Sequence, residues 1–260
     1  MTTENSAPSA LPRIGRLSGR DIIGALKAGV HDFRRAPLWG LAFALPYVAI
    51  GLVLLALDAG TFLWTLALAL GFPLVAPFAA VGLYEVSRRL EVNAPLDAVG
   101  ILSVVANERH RQMPWVGLVL MLVFLFWSFF AHMSVALFLG PSVLLDMSTT
   151  GALLSSTRGL LMMGFQVVVG GLVAFLTFGL TVVSLPLLLE REVDVVTAMR
   201  LSLKTVSANK AFMALWAVIV AVGLAVAMAP AFVGLFLVLP VLGHATWHLY
   251  RRALSDEAQP

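Results

Sequence analysis

Long stretches without a charged residue alternate with short polar segments along this chain. Leu38–Leu57 and Thr61–Leu83 are separated only by Asp58-Ala59-Gly60, and Trp115–Leu139 is closed by Gly140-Pro141. Gly159–Leu189 runs 31 residues without a charge, and Ala211–Tyr250 runs 40 with His taken as neutral. About 20 apolar residues cover a hydrocarbon core roughly 30 Å thick, so the first three stretches are one span each and the fourth is a long or tilted one. The fifth as a single helix would reach about 60 Å, twice a bilayer. Ala229-Pro230 is the natural break, giving spans Ala211–Met228 and Ala231–Tyr250, because proline cannot continue a helix. The pattern predicts an all-α polytopic membrane protein with six transmembrane helices.

The polar segments before the odd-numbered spans resemble one another. They start at Asp21, Asp97 and Asp194, run two or three turns with apolar residues at helical spacing, and enter the next span near Trp39, Trp115 and Trp216. In the first, Ile22, Leu26, Val30 and Phe33 form a stripe opposite Lys27, Asp32 and Arg34; in the third, Val196, Met199, Leu203 and Val206 lie opposite Arg200 and Lys204. Such helices lie in the headgroup plane with the apolar face down. The expectation is three parallel repeats of interfacial helix plus transmembrane hairpin, over Asp21–Arg35, Asp97–Asn107 and Asp194–Asn209. The three Asp residues are expected as helix N-caps.

Charge orients the hairpins. Arg13, Arg16, Arg20, Lys27, Arg34 and Arg35, then Arg88, Arg89, Arg109 and Arg111, then Arg191, Arg200, Lys204 and Lys210, then Arg251 and Arg252 all fall on one side of the alternation. Of the 17 Lys and Arg, only Arg158 falls on the other. This is the positive-inside pattern, with both termini in the cytoplasm of a bacterial inner membrane. With 60% apolar and 12% charged residues the chain lies outside the soluble globular range. Its net charge of only +3, carried beside apolar spans, points to lipid headgroups and away from nucleic acid. No cysteine is present, which excludes disulfides and thiolate chemistry. Residues 1–19 are polar and rich in Ser, Pro and Gly, expected as a disordered cytoplasmic tail and not a signal peptide. Residues 20–254 then form a single membrane domain and 255–260 a short tail.

Candidate chemistry is sparse. His132 is the one ionisable group well inside a span, expected to bond a neighbouring helix or interfacial water. His244 and His248, spaced i,i+4, share a helix face that can chelate a divalent metal, and Glu85 and Glu190 are the carboxylates expected near the same level. The competing expectation is that Trp247, Tyr250, Arg251 and Arg252 make an interfacial belt in which both His face headgroups, backbone carbonyls or loops. No haem site is expected, since His132 and His244 lie near opposite membrane faces and His244 and His248 cannot sandwich a ring. No nucleophile with a base, P-loop or dinucleotide motif occurs, so no cofactor and no enzymatic activity are expected.

The segments DFRRAP (Asp32–Pro37), VGLYEVSRRLE (Val81–Glu91), VSLPLLLEREVDVVTAMRLSLKTVSAN (Val183–Asn209) and LPVLGHATWHLYRRAL (Leu239–Leu254) resemble an uncharacterised family of predicted integral membrane proteins from proteobacteria. Some of its members are labelled as resembling a cytochrome c oxidase main subunit. One mid-span His cannot supply the haem and copper ligands of such a subunit. The resemblance implies an inner-membrane location. The expected function is a non-catalytic accessory or scaffolding role, with membrane lipids and another membrane protein as partners. A pseudo-threefold transporter or channel for a small solute is the alternative, and a metal-handling or redox-associated subunit a distant one.

Overall fold

The computed structural model describes residues 12–57, 62–141 and 156–255, with side chains from 76 onward in the helix that begins at Phe62. The expected turn at Asp58-Ala59-Gly60, the outer loop around Ser148 and the C-terminal residues from Asp256 lie outside this range.

The described chain is all-α apart from one pair of two-residue strands. The helices are α1 (Gly19–Arg35), α2 (Pro37–Ala56), α3 (Phe62–Glu91), α4 (Ala98–Asn107), α5 (Met113–Leu139), α6 (Thr157–Thr181), α7 (Ser184–Glu190), α8 (Val195–Ala208), α9 (Lys210–Met228) and α10 (Leu235–Ala253). Local chemistry sets many of the boundaries. Asp97 and Asp194 accept the N–H of Gly100 at 2.5 Å and of Thr197 at 2.9 Å, so both are N-caps as expected. Asp21 is not one: it lies inside the first turn of α1 and reaches back to the N–H and hydroxyl of Ser18. Prolines 37 and 114 sit in the first turns of α2 and α5, where no N–H is needed. The break at Ala229-Pro230 is present, and Ala231 and Phe232 turn the chain with φ of 50° and 65°.

Four described stretches are long and apolar enough to cross a membrane: Pro37–Ala56, Met113–Leu139, Thr157–Glu190 and Lys210–Met228. Four of the six expected spans thus meet the length and composition of a membrane crossing among the described residues. The expected fourth span is not one continuous helix, because it breaks after Thr181. Ser202 of α8 donates to the Gly179 carbonyl at 2.6 Å and accepts from the Val183 N–H at 3.2 Å, so a side chain from a later element satisfies the broken ladder.

The core sits where the second helices of the three hairpins end. Val81–Ser87 on α3 and Val182–Leu189 at α6 and α7 are buried at every position, as are Trp247, Leu249 and Tyr250 on α10. A helix buried all round is a core helix. The outer surfaces of α2, α5, α6 and α9 carry exposed apolar side chains such as Leu45, Phe126, Val167 and Val222. Apolar atoms left outward over four helices need a non-aqueous surrounding.

The lead-in helices pack differently from the expectation. On α1 the buried face is Ile22, Ala25, Gly29 and Asp32, and Asp32 is 4% exposed although its charge had placed it on the polar side. Small residues win because α1 lies directly against α10: a Cβ on Gly29 would stand 2.5 Å from the Val241 carbonyl oxygen. On α8 Met199 and Val206 of the expected stripe are buried together with Ala198, Ser202 and Thr205, while Val196 and Leu203 point outward. Residues 13–19, expected as part of a disordered tail, are ordered against the rest of the domain. Arg13–Ile14 (β1) pairs antiparallel with Leu254–Ser255 (β2), and Leu17 is buried with its N–H on Asn209 Oδ1 at 2.8 Å. The two ends of the domain therefore meet on one side, the charged end of the molecule.

Candidate functional site at the hairpin ends

The charged residues that terminate the hairpins converge. Glu91 ends α3, Glu190 ends α7 and Arg251 lies in the last turn of α10. The Arg251 guanidinium donates to Glu190 Oε1 at 2.7 Å and to Glu91 Oε1 at 3.3 Å. Trp247 Nε1 donates to Glu91 Oε2 at 3.3 Å, and the Tyr250 hydroxyl donates to Glu190 Oε2. One cation and two aromatic donors thus tie three hairpins together.

Below this layer lies a buried polar tier. Glu85 has no exposed surface and accepts from Arg88 Nε at 2.7 Å and Nη2 at 3.0 Å, and from Arg89 Nε at 2.7 Å. Arg89 continues to Asp97 Oδ2 at 2.9 Å and to the Pro95 carbonyl, coupling α3 to the cap of α4. The Gly100 N–H and Arg89 hold the Asp97 carboxyl below the usual carboxylate range. The Thr197 hydroxyl and N–H do the same for Asp194. Glu108, 2% exposed, pairs with Arg111 at 2.5 Å, yet burial outweighs that partner and raises its pKa.

The structure does not bring the four sequence-predicted metal candidates together. His244 is fully buried, with Nδ1 2.8 Å from Ser87 Oγ of α3. His248 Nε2 stands 2.7 Å from Asp32 Oδ2 of α1. Glu85 and Glu190 are held by arginines, and both would have to leave them to reach a shared ion. Among the described residues no group of three or more His, Asp or Glu is placed to hold a metal. The carboxylate beside the histidines is Asp32, which sequence reasoning missed. Both imidazoles bond side chains of neighbouring helices. The periodicity of α1 carried no signal for this, since one acid on a helix face reads as solvated.

His132 Nδ1 stands 2.7 Å from the carbonyl oxygen of Ser128, one turn earlier on its own helix. At the charged end the described ion pairs and hydrogen bonds close on each other across helices, and the Ser87–His244 pair lies fully buried among them.

Residues 65–190, a little under half of the chain, match the model of a family described as a predicted integral membrane protein (DUF2189). The matched stretch runs from α3 to the end of α7 and contains Glu85, Arg88, Arg89 and Glu190, while α1 and α10 lie outside it. No curated protein and no solved structure matches the chain. With four helices long and apolar enough to cross a membrane, the chain is an integral membrane protein.

Proposed function

We propose that this chain is a non-catalytic accessory or scaffolding protein of the bacterial inner membrane, crossing it six times with its charged end in the cytoplasm. In this reading α3 and α10 supply the two remaining spans, the second and the sixth in chain order. The antiparallel pairing of β1 with β2 supports a common side for both ends of the domain.

The observation that carries the functional reading is how the basic residues divide. Arg88, Arg89, Arg111 and Arg251 are consumed by internal carboxylates. Arg20, Lys27, Arg34 and Arg35 on α1, Arg200 and Lys204 on α8 and Lys210 at the start of α9 are exposed, without an ion pair or hydrogen bond from the side chain among the described residues. Beside them Ile23, Val196 and Leu203 expose apolar side chains. Free cations flanked by exposed apolar groups suit an anionic headgroup layer, worth about 1 kcal/mol per basic residue near the surface.

Two measurements test the reading. Because the chain has no cysteine, single cysteines report topology without background. A membrane-impermeant maleimide should label Ala59→Cys and Ser148→Cys in intact cells, and Val92→Cys and Glu192→Cys only after permeabilisation. Labelling of Glu192→Cys from outside would invert the orientation. In the second, native mass spectrometry of detergent-purified protein should show bound anionic phospholipid that falls at least about threefold in the Arg200→Gln, Lys204→Gln double variant. Unchanged retention would remove lipid docking from the proposal.

A further inference from the structure

At the apolar end a cavity of about 580 Å³ opens between the first helices of the hairpins. Tyr47 of α2, Trp127, Ser128, Ala131 and His132 of α5, and Phe232 of the turn before α10 are among its walls. The lining is apolar except for Tyr47, Ser128, His132 and the indole N–H of Trp127; the Tyr47 hydroxyl donates to the Ala76 carbonyl at 3.2 Å, and His132 bonds the Ser128 carbonyl. The Ser128 hydroxyl is different. Ser128 is 5% exposed, and its Oγ has no hydrogen-bond partner among the described residues. A buried hydroxyl left unpaired costs free energy that one matching group on an occupant recovers.

Depth narrows the occupant. Ser128 lies about halfway along α5, roughly 22 Å from the start of that helix at 1.5 Å per residue. Phospholipid oxygens stay in the headgroup region outside the hydrocarbon core. A lone water would find too few polar partners in such a lining. We infer that the cavity binds a neutral, membrane-dissolved molecule with an apolar body and one hydroxyl or carbonyl oxygen, which pairs with Ser128. The volume lies within the range that encloses a small organic ligand. No charged side chain lines the described walls, which sets this site apart from one for a free ion.

Trp127 gives the readout. The full chain, reconstituted in phosphatidylcholine nanodiscs, is titrated with 10-bromodecanol and separately with 1-bromodecane, which lacks the hydroxyl. The saturable tryptophan quenching that disappears in Trp127→Phe reports the cavity. In the wild type the alcohol should half-saturate at a membrane mole fraction about three- to tenfold below that of the alkane, the worth of one hydrogen bond. Ser128→Ala should remove that preference while both probes still bind. Ala131→Phe, which fills the space, should abolish the saturable component for both. Equal potency of the two probes in the wild type overturns the inference, as does a preference that survives in Ser128→Ala. Saturable quenching that persists in Ala131→Phe would place the binding elsewhere.

Discussion

Glu85→Ala is expected to lower the stability of the purified protein by about 3 kcal/mol, the largest loss from any single charged residue. Glu85 is fully buried, and it is the shared acceptor for Arg88 and Arg89, whose side chains are 43% and 15% exposed. Removing the carboxylate leaves Arg89 charged in a site nearly closed to water, which is the costly way to break a buried pair. Two things hold the loss to the lower end of the usual 3–5 kcal/mol range: Arg88 can turn to solvent, and Arg89 keeps Asp97 and the Pro95 carbonyl. For a domain of this size the melting midpoint should fall by roughly 6–12 °C, read by circular dichroism in detergent. Glu85→Gln, which keeps the volume and one acceptor, should lose about half as much. A midpoint for Glu85→Ala within about 2 °C of the wild type would mean that the arginines do not depend on this carboxylate.

The second large effect is steric. Gly29→Val should cost about 3 kcal/mol and loosen α1 from α10. A Cβ at Gly29 meets Val241 O at 2.5 Å, Ala245 Cβ at 2.7 Å and Ala245 N at 2.7 Å. Two of those three atoms are backbone, so the helices must separate. Separation also lengthens the Asp32–His248 contact one turn along, now 2.7 Å. Gly29→Ala isolates the clash from helix propensity, which by itself favours alanine by about 1 kcal/mol. Limited proteolysis should cut α1 faster in both variants. Stabilisation by Gly29→Ala would show that the close approach is not a constraint.

These interactions mark where the sequence stops being informative. Apolar runs, proline and Asp caps act over a few residues, so the helices, the break at Ala229-Pro230 and the lead-in segments were legible. The break after Thr181 was not, because Ser202, about 20 residues on, supplies its hydrogen bonds. Pro186 was a hint, since it suits the first turn of a new helix. The face of α1 was misjudged for a related reason. Its apolar stripe was read as the buried one, but a neighbour at backbone distance selects Ala25 and Gly29 over larger side chains. Of the candidate site, Glu85, Glu190, His244 and His248 do gather at the charged end of the fold, while their partners come from Arg88, Arg251, Ser87 and Asp32. Pairing across elements is a property of the packed chain, and helix periodicity does not record it.

The clasp between the two ends of the chain has a consequence for biogenesis. Asp32 and His248 are separated by 216 residues, and β1 finds β2 only at the last residues of the domain. At about 5–20 residues per second, the ribosome needs roughly 10–40 s after making α1 to make its partner. Throughout that interval α1 holds an uncovered Asp32 and a small-residue groove with nothing to fill it. Assembly of this domain is therefore completed only once α10 has been made, with the first helix docking among the last, and any factor that guards the nascent chain must hold α1 until then.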